Sequence, residues 1–247
     1  MATPRASSGR GRSPGEGAGG GWRSFIGLTV PALCWEFLRR NPDYRADFAL
    51  ASGEARSVDR RWGLSAAADP SLSADEGRVV WRADVAPGLV VPMERASFGS
   101  ARVSPLTRAR PVAGADGNHI RLPSGLQVQL RDSAAPNAPL VVVLAYDQDF
   151  RLRVRAIDAL RRADLTDEPP RSRLSLPQRE RLARALCALD GALNARSYRD
   201  IAVELFGDAD AGADFKTSSV RDVTIRLVRR GRALMMGGYL KLLRGGF

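Results

Sequence analysis

The chemistry in this sequence is concentrated in arginines near its end. Between Lys216 and Arg244 eight basic residues stand against one acid, Asp222. A guanidinium stays charged and bonds two acceptors in one plane, which suits phosphate oxygens and the guanine edge. On a helix over Thr217 to Met235, with residues at steps of about 100°, Arg221, Arg229 and Arg232 share one side with Ile225. Arg226 lies beside them, and Arg230 sits at the edge of an apolar sector made by Val220, Val223, Leu227, Gly231 and Leu234. That sector is expected to pack on the domain. Asp208, Asp210 and Asp214 gather just ahead of the helix and not within it. A solvated arginine face without a ligand is the competing explanation of the same pattern.

Other reactive residues are sparse. His119 is the only histidine, and beside Gly117 and Asn118 it reads as a turn residue rather than a general base. Cys34 and Cys187 each fall in a predicted helix among apolar neighbours, as buried small hydrophobes rather than a disulfide or ligand pair. There is no Cys/His metal set, no phosphate-binding loop and no nucleophile elbow. Gly15, Gly17 and Gly20 fit a dinucleotide-type spacing, but no strand precedes them and low-complexity sequence makes such matches by chance. Asp147 and Asp149 follow a β-prone run, where catalytic acids can sit. They read better as the start and cap of the next helix. No catalytic residue, metal or cofactor is expected, and the protein is not expected to be an enzyme.

Stepping outward, 247 residues with 44% hydrophobic content leave room for real cores in two modest domains or one larger one. The net charge of +11 favours polyanions, nucleic acid first and an anionic membrane surface second. The longest apolar run, Leu140 to Tyr146, is far too short to cross a bilayer. No hydrophobic stretch follows the first arginines, so no secretory signal is expected and the location is read as cytoplasmic.

The elements that must carry these residues form an α+β protein. Residues 1–21, rich in Gly, Ser, Ala and Arg, are expected to be a disordered tail. A small helical unit spans 22–68. In it Leu33, Trp35, Phe37 and Leu38 make one apolar helix. Asn41-Pro42-Asp43 caps a second, whose apolar side is Tyr44, Phe48 and Leu50. A β-rich middle region, 69–139, has short runs at Val79–Trp81, Leu89–Val91, Ile120–Leu122 and Leu126–Leu130, with Pro92 to Gly117 as a loop or linker. Another such run is Leu140–Ala145. From about 140 the chain turns helical, with Phe150, Val154, Ile157 and Leu160 on one stripe. Thr166 to Ser175 reads as a loop. Leu182, Ala185, Leu186 and Leu189 line the next helix, after Ser175 and Pro177. A short helix, Tyr198 to Phe206, then precedes the basic one. Two helices joined by a turn, the second with outward arginines, is the layout of a helix-turn-helix DNA reader. Gly237-Gly238-Tyr239 ends the pair, and Tyr239 is expected to seal the core.

At this point the sequence resembles a known family. Ser197-Tyr198-Arg199-Asp200-Ile201-Ala202 through Gly207, then Arg221-Asp222, Arg229-Arg230-Gly231-Arg232 and Gly237-Gly238-Tyr239, is similar to proteobacterial helix-turn-helix-variant transcription regulators. These include activators of conjugative-element transfer and a regulator of type VI secretion. Trp35-Glu36-Phe37-Leu38-Arg39-Arg40-Asn41-Pro42-Asp43-Tyr44-Arg45 resembles the transcriptional regulator-like domain that often precedes them. The resemblance implies promoter binding and gene activation, often as an oligomer, with a small relative acting as antiactivator. The link from Gly207 to Lys216 departs from the usual three or four residues.

The reading is therefore a sequence-specific DNA-binding regulator whose DNA contacts are Arg199, Lys216, Arg221, Arg226, Arg229, Arg230 and Arg232. Its partners would be double-stranded DNA, a second copy of itself, and an antiactivator or the transcription machinery, but no membrane. Two alternatives compete: a protein-interaction module of the same fold without DNA binding, and charge-driven, non-specific nucleic-acid binding. With on the order of six phosphates neutralised, duplex affinity should fall about 10³-fold between roughly 50 and 200 mM salt. A flat salt series in gel shifts would remove the polyanion reading.

Overall fold

A computed structural model describes residues 21–51, 59–99, 106, 110–132, 134–165, 174–208 and 215–245. The expected tail and most of the Thr166–Ser175 loop lie outside them. After a 3-10 turn at Gly21–Phe25 come α1 (Val30–Leu38) and α2 (Pro42–Leu50), then a 3-10 turn at Arg60–Trp62. The strands are β1 (Val90–Arg95), β2 (Val112–Gly114), β3 (Gly117–Arg121), β4 (Gln127–Leu130) and β5 (Leu140–Val142). Helices follow as α3 (Phe150–Leu165), α4 (Leu176–Leu193), α5 (Tyr198–Phe206), α6 (Ser219–Ala233) and α7 (Tyr239–Leu243), with a π-helical turn at Leu234–Gly238 joining the last two. The fold is α+β, with helical parts at both ends and a mixed sheet between them.

The helix starts follow from local chemistry. The Asn41 side chain accepts from the backbone N–H groups of Asp43 and Tyr44, at 2.8 and 3.3 Å, and Pro42 needs no N–H partner in the first turn. Ser197 and Asp200 cap α5 reciprocally: Asp200 N–H donates to Ser197 Oγ and Ser197 N–H to the Asp200 carboxylate. Helix α1 is buried almost all round, which marks it as a core helix rather than a surface one.

The core that buries α1 is drawn from both ends of the chain. Trp22, Leu33, Trp35, Phe37, Tyr44 and Trp81 share one cluster with Leu182, Leu186, Ile201, Val228, Tyr239 and Leu243. Within it Tyr44 meets Trp35 and Trp62 edge-on, with ring centroids 5.7 Å apart in both cases. Polar bonds cross the same boundary. Asn41 Nδ2 donates to the Met235 carbonyl at 3.1 Å, and Tyr239 Oη donates to the Trp62 carbonyl at 3.0 Å. Arg40 binds Asp190 through Nε and Nη2 and also bonds Glu36 at 2.6 Å. Tyr239 is the core seal expected of it. Leu50 is not an apolar anchor: it is 80% exposed, and α2 is held by Tyr44 instead.

The strands form one sheet in the order β2-β3-β4-β1-β5, with only β1 and β4 parallel. One face packs Val91, Ile120, Val128 and Leu130 against Ala156 and Leu160 of α3. Three expectations are corrected here. Pro92 to Gly117 is not simply a loop, because it contains the end of β1 and all of β2. Val143 N–H donates to the Pro92 carbonyl, but proline has no N–H to return, so β5 stops at Val142 instead of running to Ala145. Val79–Trp81 is not a strand either. It makes a single bridge, Leu64 to Trp81, and part of its backbone is satisfied by a side chain. Gln127 Oε1 accepts from Trp81 N–H, and Gln127 Nε2 donates to the Val79 carbonyl.

Helix α6 lies close against α4 because Gly231 has no side chain. A Cβ there would stand 2.6 Å from the Ala185 carbonyl oxygen and 2.9 Å from Leu189 Cβ. Gly191 serves the α4–α5 contact in the same way, with Ile201 where its Cβ would be. We expect Gly231→Ala to lower the urea-measured unfolding free energy by about 1–3 kcal/mol, the usual cost of overpacking. An unchanged midpoint would show that the helices separate freely.

Candidate nucleic-acid interface

Helix α5 buries Ile201, Ala202 and Leu205, and α6 buries Thr224, Leu227, Val228 and Gly231. The buried face of α6 is therefore turned from the expected apolar sector. Val228 and Thr224 are inside it, while Val220, Val223 and Leu234 are only half-buried. A polar Thr224 is tolerated because its Oγ1 donates to the Val220 carbonyl one turn back, at 2.8 Å. Helix α6 is capped by Ser218, whose side chain accepts from Arg221 N–H. Residues 207–218 separate α5 from α6 and include a 3-10 turn at Phe215–Thr217, well beyond a standard helix-turn-helix link.

The turn of α6 divides the arginines. Arg221, Arg226, Arg229 and Arg232 are exposed, whereas Arg230 is half-buried and faces α4. Burial, and then the neighbouring charge of Arg181, push the Arg230 guanidinium below its ordinary pKa. Arg199 is exposed on the first turn of α5, and Lys216 lies in the 3-10 turn before α6. Ile225 sits half-buried beside Arg221 and Arg232.

Several arginines elsewhere in the molecule are ion-paired, though among the described residues not Arg151, Arg155 and Arg161 of α3. Arg39 and Arg40 are paired with Glu36, Arg61 with Asp47, Arg82 with Asp84, Arg121 with Asp75, Arg153 with Asp147, and Arg196 with Glu204. Among the described residues, Arg226, Arg229 and Arg232 have no such partner, and Arg221 has only a 3.8 Å contact with its neighbour Asp222. An uncompensated, solvated row of guanidiniums on one helix is able to release counterions from a phosphate backbone and to reach base edges.

These features describe a helical domain with an exposed cationic face and a second helical unit built into its core. Residues 143–244 match the family described as a T6SS transcription factor DNA-binding domain, and residues 22–65 match the proteobacterial transcriptional regulator-like domain. The two matches indicate a DNA-binding transcription regulator that carries both domains. No curated protein matches it.

The two acids that the sequence singled out are occupied structurally. Asp147 pairs with Arg153, whose hydrogen bonds hold its carboxyl below the ordinary range, and Asp149 pairs with Arg244. Among the described residues no group of His, Cys, Asp and Glu is placed to hold a metal. No helix is long and apolar enough to cross a membrane. Cys34 and Cys187 are both buried free thiols, pushed up in pKa chiefly by burial.

His119 corrects the sequence reading. It is not in a turn but within β3, fully buried, with Nε2 2.8 Å from Ser65 Oγ and 2.9 Å from Asp116 Oδ1. Both partners meet the same ring nitrogen, and Nδ1 has no partner among the described residues. A relay needs its carboxylate on the opposite nitrogen, so the cluster acts as a pin between the 65 segment and the sheet. Nothing in the local sequence signalled it, because Ser65 is far away in the chain. Burial works against the Asp116 charge, but the His119 and Ser65 bonds outweigh it and leave its pKa lowered. The resulting stability is present above the unfolded carboxyl value of about 3.9 and is lost as pH falls through the lower folded value. Asp116→Asn should therefore be less stable than the parent at pH 7, with the gap closing in urea titrations as the pH drops below about 4. A gap constant from neutral to acid pH would contradict the assignment.

Proposed function

We propose that this chain is a sequence-specific, non-enzymatic transcription activator of secretion or mobile-element transfer genes, working in the cytoplasm with α6 against double-stranded DNA. The observation that carries the reading is the row of exposed guanidiniums on α6 without a close carboxylate among the described residues, in a domain that matches a DNA-binding family. Arg221, Arg226, Arg229 and Arg232 form the outer contact row. Arg199 and Lys216 reach flanking phosphates, and Arg230 contributes from the inner edge. The secretion assignment draws on the description of the matched DNA-binding family. Pairing of two copies on repeated half-sites would multiply the limited specificity of one short helix. The unit at 22–68 would take an antiactivator or the transcription machinery.

The long connection between α5 and α6 favours one second reading, an antiactivator or adaptor of the same fold that does not itself touch DNA. Gel shifts on the chain's own upstream region, with scrambled competitor, separate the two. Arg229→Glu with Arg232→Glu should weaken specific binding by more than about tenfold, since a good base or phosphate contact is worth about 1–3 kcal/mol. Specific binding that survives the double substitution would place the contact on another element, and no shift at all in the parent chain would favour the adaptor.

A further inference from the structure

Arg40 and Asn41 stand side by side at the corner between α1 and α2, and each holds a different helix from the far end of the chain. Arg40 reaches α4, where its Nη2 donates to the Asp190 carboxylate at 2.8 Å, while its Nη1 bonds Glu36 at 2.6 Å. Asn41 reaches the end of α6. Its Nδ2 donates to the Met235 carbonyl at 3.1 Å and lies 3.8 Å from Met236 Sδ. The Oδ1 of the same side chain caps α2. Asn41 is only 2% exposed, so both of its jobs are done out of water.

The two grips lie beside the point where α4 and α6 come closest. Gly231 of α6 meets Ala185 and Leu189 of α4 there. Asp190 follows Leu189 directly, and Met235 is one turn beyond Gly231. Met235 belongs to the π-helical turn, in which Met236 and Gly237 leave helical geometry and the chain bends into α7. Helix α7 is tied to the same unit, by Tyr239 Oη on the Trp62 carbonyl at 3.0 Å and by Cys34 Sγ against the Tyr239 carbonyl at 3.5 Å. The contact at Gly231 fixes where the two helices touch. Two adjacent residues of one buried corner, bound to both helices just past that contact, fix the angle between them.

We propose that Arg40 and Asn41 are positioning residues for the arginine row of α6. The corner of the N-terminal unit clamps α4 to the end of α6 and so sets the angle at which Arg221, Arg226, Arg229 and Arg232 are presented. The effect on DNA rests on the reading of α6 as the DNA-contacting helix, whereas the clamp does not. Hydrogen bonds to base edges need an alignment that a tilted helix loses, but attraction to phosphates acts over a longer range and survives the tilt. The N-terminal unit is thereby part of the reader, and a partner that displaces its corner acts first on sequence discrimination.

Asn41→Ser in the full chain separates the two jobs of this side chain, because serine caps a helix about as well as asparagine but is too short to span to Met235. Tyr44→Phe is the matched control: it removes a buried hydroxyl of the same unit whose bonds go to the Ala68 backbone. With both variants shown by urea titration to be folded, gel shifts should give a specific-to-scrambled affinity ratio about tenfold lower in Asn41→Ser and within about twofold of the parent in Tyr44→Phe. Amide hydrogen exchange from Leu234 to Leu243 should be about tenfold faster or more in Asn41→Ser and unaltered in Tyr44→Phe. Asp190→Asn, which loosens the Arg40 grip from the α4 side, should move both readouts in the same direction, and it replaces Asn41→Ser if that variant does not fold. An unchanged ratio, unchanged exchange, or equal losses in Tyr44→Phe would each overturn the proposal. A parent chain without specific DNA binding would sink the DNA reading instead. Exchange then decides the clamp alone, upheld by protection lost only in the corner variants and overturned by protection retained.

Discussion

The approach of α6 to α4 at Gly231 is the constraint on which the rest of this molecule depends. With backbone and Cβ atoms of Ala185 and Leu189 occupying the space of a side chain, the two helices meet closely along a fixed line. That line sets the roll of α6. Thr224, Leu227, Val228 and Gly231 go inward, so Arg221, Arg226, Arg229 and Arg232 must go outward, and Arg230 with Val223 must face α4. A different roll would have left the same residues with another division of labour. The chemistry of the face is thus a consequence of packing at one glycine.

The helical unit at the start of the chain completes this arrangement from the other side. Helix α1 packs against α7, and the π-helical turn between α6 and α7 gives its Met235 carbonyl to Asn41. The Arg40 guanidinium, pulled from water, is kept charged because its bonds to Asp190 and Glu36 outweigh the burial that opposes them. Removing one partner from such a buried cluster typically costs about 3–5 kcal/mol, because it strands the other charge. A change in this unit is therefore felt at the end of α6 through direct bonds and not through a flexible link. The sheet and α3 have a separate small core, tied to the rest by the Gln127 and His119 side chains.

Charge balance gives the basic composition its meaning. A net +11 could be spread evenly over a surface or gathered in one place. Here many arginines are matched to carboxylates, and the unmatched ones on α6 are neighbours in space.

Much of this was legible in the residues themselves. Asn41 and the helix it begins, the bounds of α5, the β-prone run at Leu126–Leu130, and the core position of Tyr239 all follow from signals that act within a few residues. Capping, turn chemistry and periodicity are local, so one strand of text suffices to read them. The turn of α6, the burial of His119, the Gln127 bonds that replace a strand at Val79–Trp81, and the clamp at Arg40 and Asn41 were not legible. Each depends on partners far away in the chain: Ala185 for Gly231, Ser65 for His119, Met235 for Asn41. The sequence by itself determined which helices form and that one of them is rich in arginine. Only the tertiary structure decided which arginines meet solvent, which meet carboxylates and which face another helix, because that choice is made by close packing between distant segments.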